Sequence, residues 1–174
     1  WQNTAGYGIS TISGKGVLQK TAATGHGTTA YIYAPNSGQN RTIVTSVRNS
    51  DTLNYRGGPI YRDSSVNVMF YADPANGAYL NGGATTLGST GYSIPTERWY
   101  TYELKKIGNQ YEAKVLNGNT QICTVSGTYT FSPSNVGVYF YDNSASVDYI
   151  YVRKSSVTEP VHGGWGVTED AHIP

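Results

Sequence analysis

Acidic and histidine side chains are the residues best suited to catalysis in this chain, and their spacing argues against it. The 174 residues include only 11 Asp and Glu and three His. Glycoside hydrolysis, for example, needs two carboxylates about 5–10 Å apart, yet no acidic residues recur at alternate positions. His26, His162 and His172 lack zinc-ligand spacing, and there is neither a G-x-S-x-G motif nor a phosphate-binding loop. The sequence therefore predicts a protein that is not an enzyme.

Tyrosine is the other side chain with a chemical use, because flat aromatic rings stack on the C–H faces of sugars. The chain contains 16 Tyr. An arginine guanidinium beside such rings could donate hydrogen bonds to sugar hydroxyls. The alternative is that Tyr fills the core of a β-protein while its hydroxyl reaches solvent. The glycan-contact candidates are Tyr139, Tyr141, Tyr149, Tyr151 and Arg62.

The segment from Val136 to Lys154 carries four of these five candidates. Its side chains alternate on both sides of a polar loop at 142–146, a pattern typical of an antiparallel hairpin. In that hairpin the four tyrosines share one face. Short alternating segments of the same kind run through the rest of the chain, separated by turn residues, and no segment has a helical pattern. The pattern predicts an all-β protein of the sandwich type.

The segment from Arg98 to Val125 predicts strand register as well as strands. Gly108-Asn109 can form a two-residue turn, and Asn117-Gly118 is a strong hairpin signal. A turn centred on Gly108-Asn109 brings apolar residues together on one face and opposite charges together on the other, which fixes the register. The predicted pairs are Tyr102–Val115 and Leu104–Ala113 on the apolar face, and Glu103–Lys114 and Lys105–Glu112 on the charged face.

Composition excludes several function classes. The formal net charge is +1 and charged residues make up 13% of the chain, without a basic run, so a nucleic-acid partner is not expected. No apolar stretch reaches the ~18–20 residues of a membrane span. Cys123 has no second cysteine to pair with, and its strand-like setting predicts a small buried hydrophobe. The length suits a single domain with its own core.

Five short motifs carry a resemblance to a known family. They are Gly14-Lys-Gly-Val-Leu18, Gly57-Gly-Pro-Ile-Tyr-Arg62, Glu97-Arg-Trp-Tyr-Thr-Tyr-Glu-Leu104, Val115-Leu-Asn-Gly118 and Val147-Asp-Tyr-Ile-Tyr-Val-Arg153. Through them, residues 1–154 resemble the concanavalin A-like (laminin-G-type) jelly-roll domains of archaeal and bacterial cell-surface proteins. The resemblance implies a two-sheet antiparallel β-sandwich and an extracellular location. It also implies binding or assembly, since the acidic motif of the family's glycoside hydrolases is missing.

The resemblance further implies a structural calcium ion, because jelly-roll domains of this type often hold one on their loops. Calcium takes 6–8 oxygen ligands, which Asp- and Asn-rich turns can supply. The alternative is that these residues simply favour turns. The calcium candidates are Asp142, Asn143, Asp148, Asp63 and Asp73.

Residues 155–174 follow the strand that normally closes such a domain. Apolar residues recur at odd positions, at Val161, Trp165 and Val167 among others. This tail is either a linker or a strand donated to the sheet of a neighbouring copy. The N-terminal segment, with Trp1, Tyr7 and Ile9 in phase, is a rival donor or simply the first strand.

Two functions remain open from the sequence. The first is a subunit of an extracellular filament or surface layer that assembles with copies of itself by strand exchange, with calcium at its junctions. The second is a carbohydrate-binding module or adhesin domain of a larger surface protein. Untagged termini and a first residue other than Met indicate a processed, secreted chain, and they favour the filament subunit.

Overall fold

The structure is a computed structural model that describes residues 7–12, 14–20, 29–35, 40–49, 56–73, 76–141 and 145–156. This part of the chain forms thirteen strands and no helix. No helix within it has the length and apolar character needed to span a membrane. The strands are β1 (Tyr7–Ile12), β2 (Lys15–Lys20), β3 (Thr29–Pro35), β4 (Arg41–Asn49), β5 (Arg56–Arg62), β6 (Asn67–Asp73), β7 (Gly77–Gly82), β8 (Thr85–Thr90), β9 (Trp99–Ile107), β10 (Gln110–Asn117), β11 (Thr120–Thr128), β12 (Asn135–Tyr141) and β13 (Ala145–Lys154).

The strands form two antiparallel sheets that pack face to face. One sheet has seven strands in the order β1-β2-β13-β4-β9-β10-β11, and the other has six in the order β3-β12-β5-β6-β7-β8. In β9 and β10 every second side chain is buried and faces the space between the sheets, as expected for a sandwich. The predicted fold class, an all-β two-sheet antiparallel sandwich, is confirmed.

The core between the sheets is rich in aromatic side chains. Tyr61, Phe70 and Phe140 from the six-stranded sheet meet Tyr102 and Tyr111 from the seven-stranded sheet, and all are fully buried. The rings of Phe70 and Tyr102 lie 5.7 Å apart, and those of Tyr61 and Tyr111 lie 5.8 Å apart at a steep angle. Tyr61, Tyr102 and Tyr111 therefore fill the core, which was the alternative to glycan contact.

The two sheets also close along one side. The last strand of the six-stranded sheet, β8, contacts the last strand of the seven-stranded sheet, β11. Glycines allow this approach: a Cβ on Gly88 would lie 2.6 Å from the Ser126 carbonyl oxygen, and one on Gly127 would lie 2.6 Å from the Leu87 Cβ. Side chains at these two positions would force the sheets apart.

The predicted register of β9 with β10 is confirmed. Tyr102 pairs with Val115, Leu104 with Ala113, Glu103 with Lys114, and Lys105 with Glu112. Gly108 has a φ of +57° in the first turn, and Gly118 has a φ of +58° in the second. The second turn consists of Gly118 and Asn119, because Asn117 still pairs with Thr120. It lies one residue later than the sequence signal placed it.

The predicted hairpin from Val136 to Lys154 is wrong. Its arms, β12 and β13, belong to different sheets: β12 pairs with β3 and β5, whereas β13 pairs with β2 and β4. Both arms direct apolar residues into the same core, Val136 and Phe140 from one side and Val147 from the other. Alternation shows which side chains are buried but not which strand lies alongside, so a crossover between sheets has the same pattern as a hairpin.

Candidate functional site

The glycan-contact candidates do not share one face. Tyr139 and Arg62 lie on the six-stranded sheet, and Tyr149 and Tyr151 lie on the seven-stranded sheet. Tyr141 is the last residue of β12, and its side chain lies outside the described part of the structure. The prediction of a common tyrosine face is wrong because β12 and β13 do not pair.

Tyr149 and Tyr151 form an exposed pair, here called the tyrosine platform. Their side chains are 41% and 51% exposed, and their rings lie 6.0 Å apart with planes only 23° from parallel. A bulge in β13 sets their phase, because Asp148 and Tyr149 together stand opposite the single residue Ser46. The two rings are thereby held side by side at the surface of the sheet.

Hydrogen bonds hold the platform in place. The Thr45 hydroxyl donates to the Tyr149 carbonyl oxygen at 3.0 Å, and the hydroxyls of Thr101 and Tyr149 lie 3.1 Å apart. Burial, with the nearby Tyr149 and Glu103, raises the pKa of Tyr151. Its hydroxyl therefore stays protonated at neutral pH and can both donate and accept.

Charged residues on β9, β10 and β13 of the same sheet form ion pairs. Arg153 Nη2 lies 4.0 Å from Glu103 Oε1, and Lys114 Nζ lies 2.8 Å from Glu112 Oε1. The predicted register is correct, yet these contacts differ from the predicted cross-strand pairs. Lys114 contacts the carboxylate two residues away on its own strand, and Glu103 lies near β13 across β4. Both carboxylates on these strands sit beside cations.

A groove lies further along the outer face of the same sheet, where β9, β10 and β11 run side by side. Its volume is about 500 Å³. This groove was not predictable from the sequence, because its residues come from three strands and carry no motif. The β9–β11 groove is lined by Lys105, Ile107, Gln110, Tyr111, Glu112, Ser126, Gly127 and Thr128.

The outer face of the six-stranded sheet carries a second aromatic group, here called the Tyr71 cluster. It consists of buried Ile60, Tyr71 and Tyr139 with the half-buried Met69 and Tyr79. The ring of Tyr71 stacks on Tyr79 at 5.5 Å and meets the edge of Tyr139 at 5.9 Å. Tyr139 is only 2% exposed, so it offers no ring face to a ligand.

Polar side chains border the Tyr71 cluster. Asn81 Nδ2 donates to the Tyr71 hydroxyl at 3.1 Å. Among the described residues, the buried Oδ1 atoms of Asn67 and Asn81 meet no hydrogen-bond donor. The half-buried Arg62 stands opposite Asn67 in the register, and its Nε donates to the Asp63 carbonyl oxygen at 3.2 Å. The sequence identified Arg62 here but not the two asparagines, which occupy ordinary strand positions.

The described calcium candidates do not converge. Asp63 precedes β6 and Asp73 ends it, so the seven-residue strand separates them by roughly 20 Å. Asp148 lies in the bulge of the opposite sheet. Within the described ranges, no three His, Cys, Asp or Glu side chains come close enough to hold a metal. Asp142 and Asn143 lie outside those ranges.

Asp63 and Asp73 instead organise turns. Asp63 Oδ1 accepts hydrogen bonds from the backbone N–H groups of Ser65 and Val66, both at 2.7 Å. These backbone bonds lower the pKa of Asp63. The buried Asp73 Oδ1 accepts a bond from the Asn76 N–H at 3.2 Å. Both contacts match the turn preference that was the alternative to metal binding.

The assembly candidates divide between described and undescribed segments. Trp1, Val161, Trp165 and Val167 lie outside the described residues. Tyr7 and Ile9 belong to β1, where they pair with Lys20 and Leu18 of β2. In this structure they are part of the protein's own first strand.

This chain resembles known proteins in structure but not in sequence. No protein-family model and no curated protein matches the sequence. The carbohydrate binding module CBM66 from Bacillus subtilis is 11% identical with a TM-score of 0.57, covering 85% of this chain and 91% of that chain. The exoplasmic/lumenal domain of VIP36, in its Ca²⁺/Man3GlcNAc-bound form, is 8% identical with a TM-score of 0.60, covering 91% and 87%. Galectin LEC-6 from Caenorhabditis elegans is 14% identical with a TM-score of 0.50, covering 71% and 90%.

At these identities the likeness establishes the fold. The chain has the concanavalin A-like jelly-roll fold that the resemblance implied. Because one such fold hosts many functions, activity has to be argued from the site. Nothing in these neighbours supports a filament subunit or a homopolymer.

Proposed function

We propose that this chain is a non-catalytic carbohydrate-binding domain that acts outside the cell and contacts its ligand through the tyrosine platform. The observation that carries the proposal is the pair of exposed, nearly parallel rings of Tyr149 and Tyr151. Large aromatic side chains that are exposed together and held in one arrangement are typical of binding surfaces.

The residues around the platform suit a ligand rich in hydroxyl groups. The rings offer flat apolar faces, while Thr101, Glu103 and Arg153 place a hydroxyl, a carboxylate and a guanidinium beside them. A sugar presents the complementary surface, with C–H groups on its faces and hydroxyls around its edge. The domain thus has groups for both parts of a sugar.

Two further observations support this function over the alternatives. The structural neighbours include a carbohydrate binding module, a galectin and a glycan-bound domain. The strand-borne Glu103 and Glu112 each lie beside a cation, which argues against an acid–base pair poised for hydrolysis.

The test is glycan binding by matched tyrosine variants. We expect Tyr149→Ala and Tyr151→Ala each to weaken binding to an array-identified glycan at least tenfold, about 1.4 kcal/mol. Tyr92→Ala is the control, because Tyr92 is 48% exposed but lies in the 91–98 segment between β8 and β9. Equal effects of all three substitutions, or no binding to any glycan on the array, would refute the proposal.

Calcium is a separate proposal, motivated by the calcium-bound VIP36 domain and by the sequence Asp142-Asn143. The carboxylates of the described residues do not converge, so a calcium site requires further ligands. Thermal unfolding with added calcium and with a chelator tests the calcium proposal, and an unchanged midpoint would refute it.

The filament function has its own test, which compares the native size of the full chain with that of a chain ending at Lys154.

A further inference from the structure

We propose that the ligand is a neutral, linear glycan that lies across the strands of the seven-stranded sheet, from the tyrosine platform to the β9–β11 groove. This inference rests on the proposed function and specifies its ligand. It assigns an extended chain instead of a single terminal sugar, and it adds the groove as the far end of the site.

The strand register connects the two ends. Outward-facing residues of β13, β4, β9 and β10 stand in rows that cross the sheet, and neighbouring strands are about 4.8 Å apart. Three such steps lead from the platform strand to β10, a distance of about 14 Å that exceeds the width of one sugar ring. The two rows are Tyr151, Val44, Glu103 and Lys114, and Arg153, Thr42, Lys105 and Glu112.

The middle of this path presents longer polar side chains that flank two short, covered ones. Val44 and Thr42 are short and fully buried on the outer face of β4. Glu103 and Arg153 extend beside them, with side chains 24% and 37% exposed. A chain lying here would therefore meet the carboxylate of Glu103 and the guanidinium of Arg153, and not the covered Val44 and Thr42.

The groove end offers mainly uncharged polar groups. Gln110, Ser126 and Thr128 are exposed, and all line the groove. An amide and two hydroxyls can donate and accept hydrogen bonds in the way that sugar hydroxyls need. Among the described residues, no exposed aromatic ring lines the groove, so we expect the platform to supply stacking and the groove to supply hydrogen bonds.

The charges along the path favour a neutral polymer. The cations Arg153 and Lys114 each stand near a carboxylate, Glu103 and Glu112 respectively. With Lys105, three cations face two anions, so the formal net charge along the path is only +1 and attracts a polyanion weakly. Binding to an acidic polysaccharide would require opening these pairs, whereas hydroxyl groups can bond to them as they stand.

The test separates the length of the ligand from binding itself. Retardation in gels containing mannan, xylan, β-1,3-glucan or polygalacturonate identifies a polymer, and calorimetry with its mono- to hexasaccharides follows. We expect affinity to rise about tenfold or more from disaccharide to hexasaccharide. Gln110→Ala should weaken hexasaccharide binding several-fold without changing disaccharide binding.

Gln121→Ala is the matched control, since Gln121 is an exposed glutamine on β11 that does not line the groove. Equal affinity for short and long oligosaccharides, or equal effects of the two glutamine substitutions, would overturn the path while the proposed function stands. Stronger retardation by polygalacturonate would overturn the neutral ligand. Absence of binding to every polymer and to the glycan array would overturn the proposed function together with the path.

Discussion

Two core tyrosines differ in one hydrogen bond. The Tyr102 hydroxyl accepts a bond from Asn49 Nδ2 at 3.2 Å, deep between the sheets. The Tyr111 hydroxyl is buried and meets no partner among the described residues. An unsatisfied buried hydroxyl costs stability, whereas removing a satisfied one leaves its partner unpaired.

Replacing each tyrosine by phenylalanine should therefore have opposite effects. We expect Tyr111→Phe to raise the free energy of unfolding by about 1 kcal/mol and Tyr102→Phe to lower it by about 1 kcal/mol. The Tyr111 ring keeps its contacts with Tyr61 and with the Lys106 ammonium group in the variant. Urea denaturation of both variants measures the difference, and equal shifts in one direction would contradict this account.

A single carboxylate makes the turn between β5 and β6 sensitive to acid. Backbone hydrogen bonds from Ser65 and Val66 lower the pKa of Asp63 below its usual value of 3.8. Because the folded protein binds the proton less readily than the unfolded chain, the contribution of Asp63 to stability is present above this value and lost as the pH falls below it.

Asp63→Asn separates charge from geometry, because an amide oxygen can accept the same two bonds. We expect Asp63→Ala to be less stable than the wild type at pH 7, and Asp63→Asn to lose less stability than Asp63→Ala. The advantage of the wild type over Asp63→Asn should shrink on acidification to pH 2. A constant difference between pH 7 and pH 2 would show that the charge of Asp63 contributes nothing.

At the scale of elements, one glycine controls the contact between β5 and β6. A Cβ on Gly58 would lie 2.1 Å from the Phe70 carbonyl oxygen and 3.4 Å from the Tyr102 ring. Backbone on one side and a core ring on the other leave no room for it to move. The close approach places Phe70 in the core, against Tyr102.

Gly58→Ala should lower the free energy of unfolding by about 2–3 kcal/mol, the usual cost of overpacking. Gly91→Ala is the control, because a Cβ there would meet nothing within 4 Å, and its effect should stay within about 0.5 kcal/mol. Thermal unfolding followed by circular dichroism compares the two. Similar midpoints would mean that β5 and β6 can separate without cost.

Local and long-range elements differ in how far the sequence determines them. The register of β9 with β10 was predictable, since a two-residue turn links Tyr102 to Val115 and Lys105 to Glu112. The partners of β12 and β13 were not predictable, because both strands contribute to one core from opposite sheets.

Within the candidate site, Tyr149 and Tyr151 were identified by alternation, but Tyr139 was wrongly assigned to their face. The groove was missed because Gln110 and Ser126 come together only through the meander.

At the scale of the whole molecule, the core depends on tyrosines that remain protonated. Burial raises the pKa of Tyr61, Tyr102 and Tyr111 above the usual value of 10. The unfolded chain therefore releases these protons first as the pH rises. Burial also raises the pKa of Cys123, which acts in the same direction, and lowers the pKa of Lys106, which acts in the opposite direction.

The protein should accordingly lose stability as the pH rises above about 10, the usual tyrosine pKa. We expect the free energy of unfolding to be nearly constant from pH 7 to 9 and then to fall steadily toward pH 12, with cooperative unfolding once it reaches zero. Absorbance at 295 nm follows tyrosinate, and far-ultraviolet circular dichroism follows the sheets. The three core tyrosines should ionise only with loss of the sheet signal. Complete ionisation of all tyrosines with the sheets intact would mean that the core admits solvent, which would contradict the packing of Tyr61 against Tyr111 and of Tyr102 against Phe70.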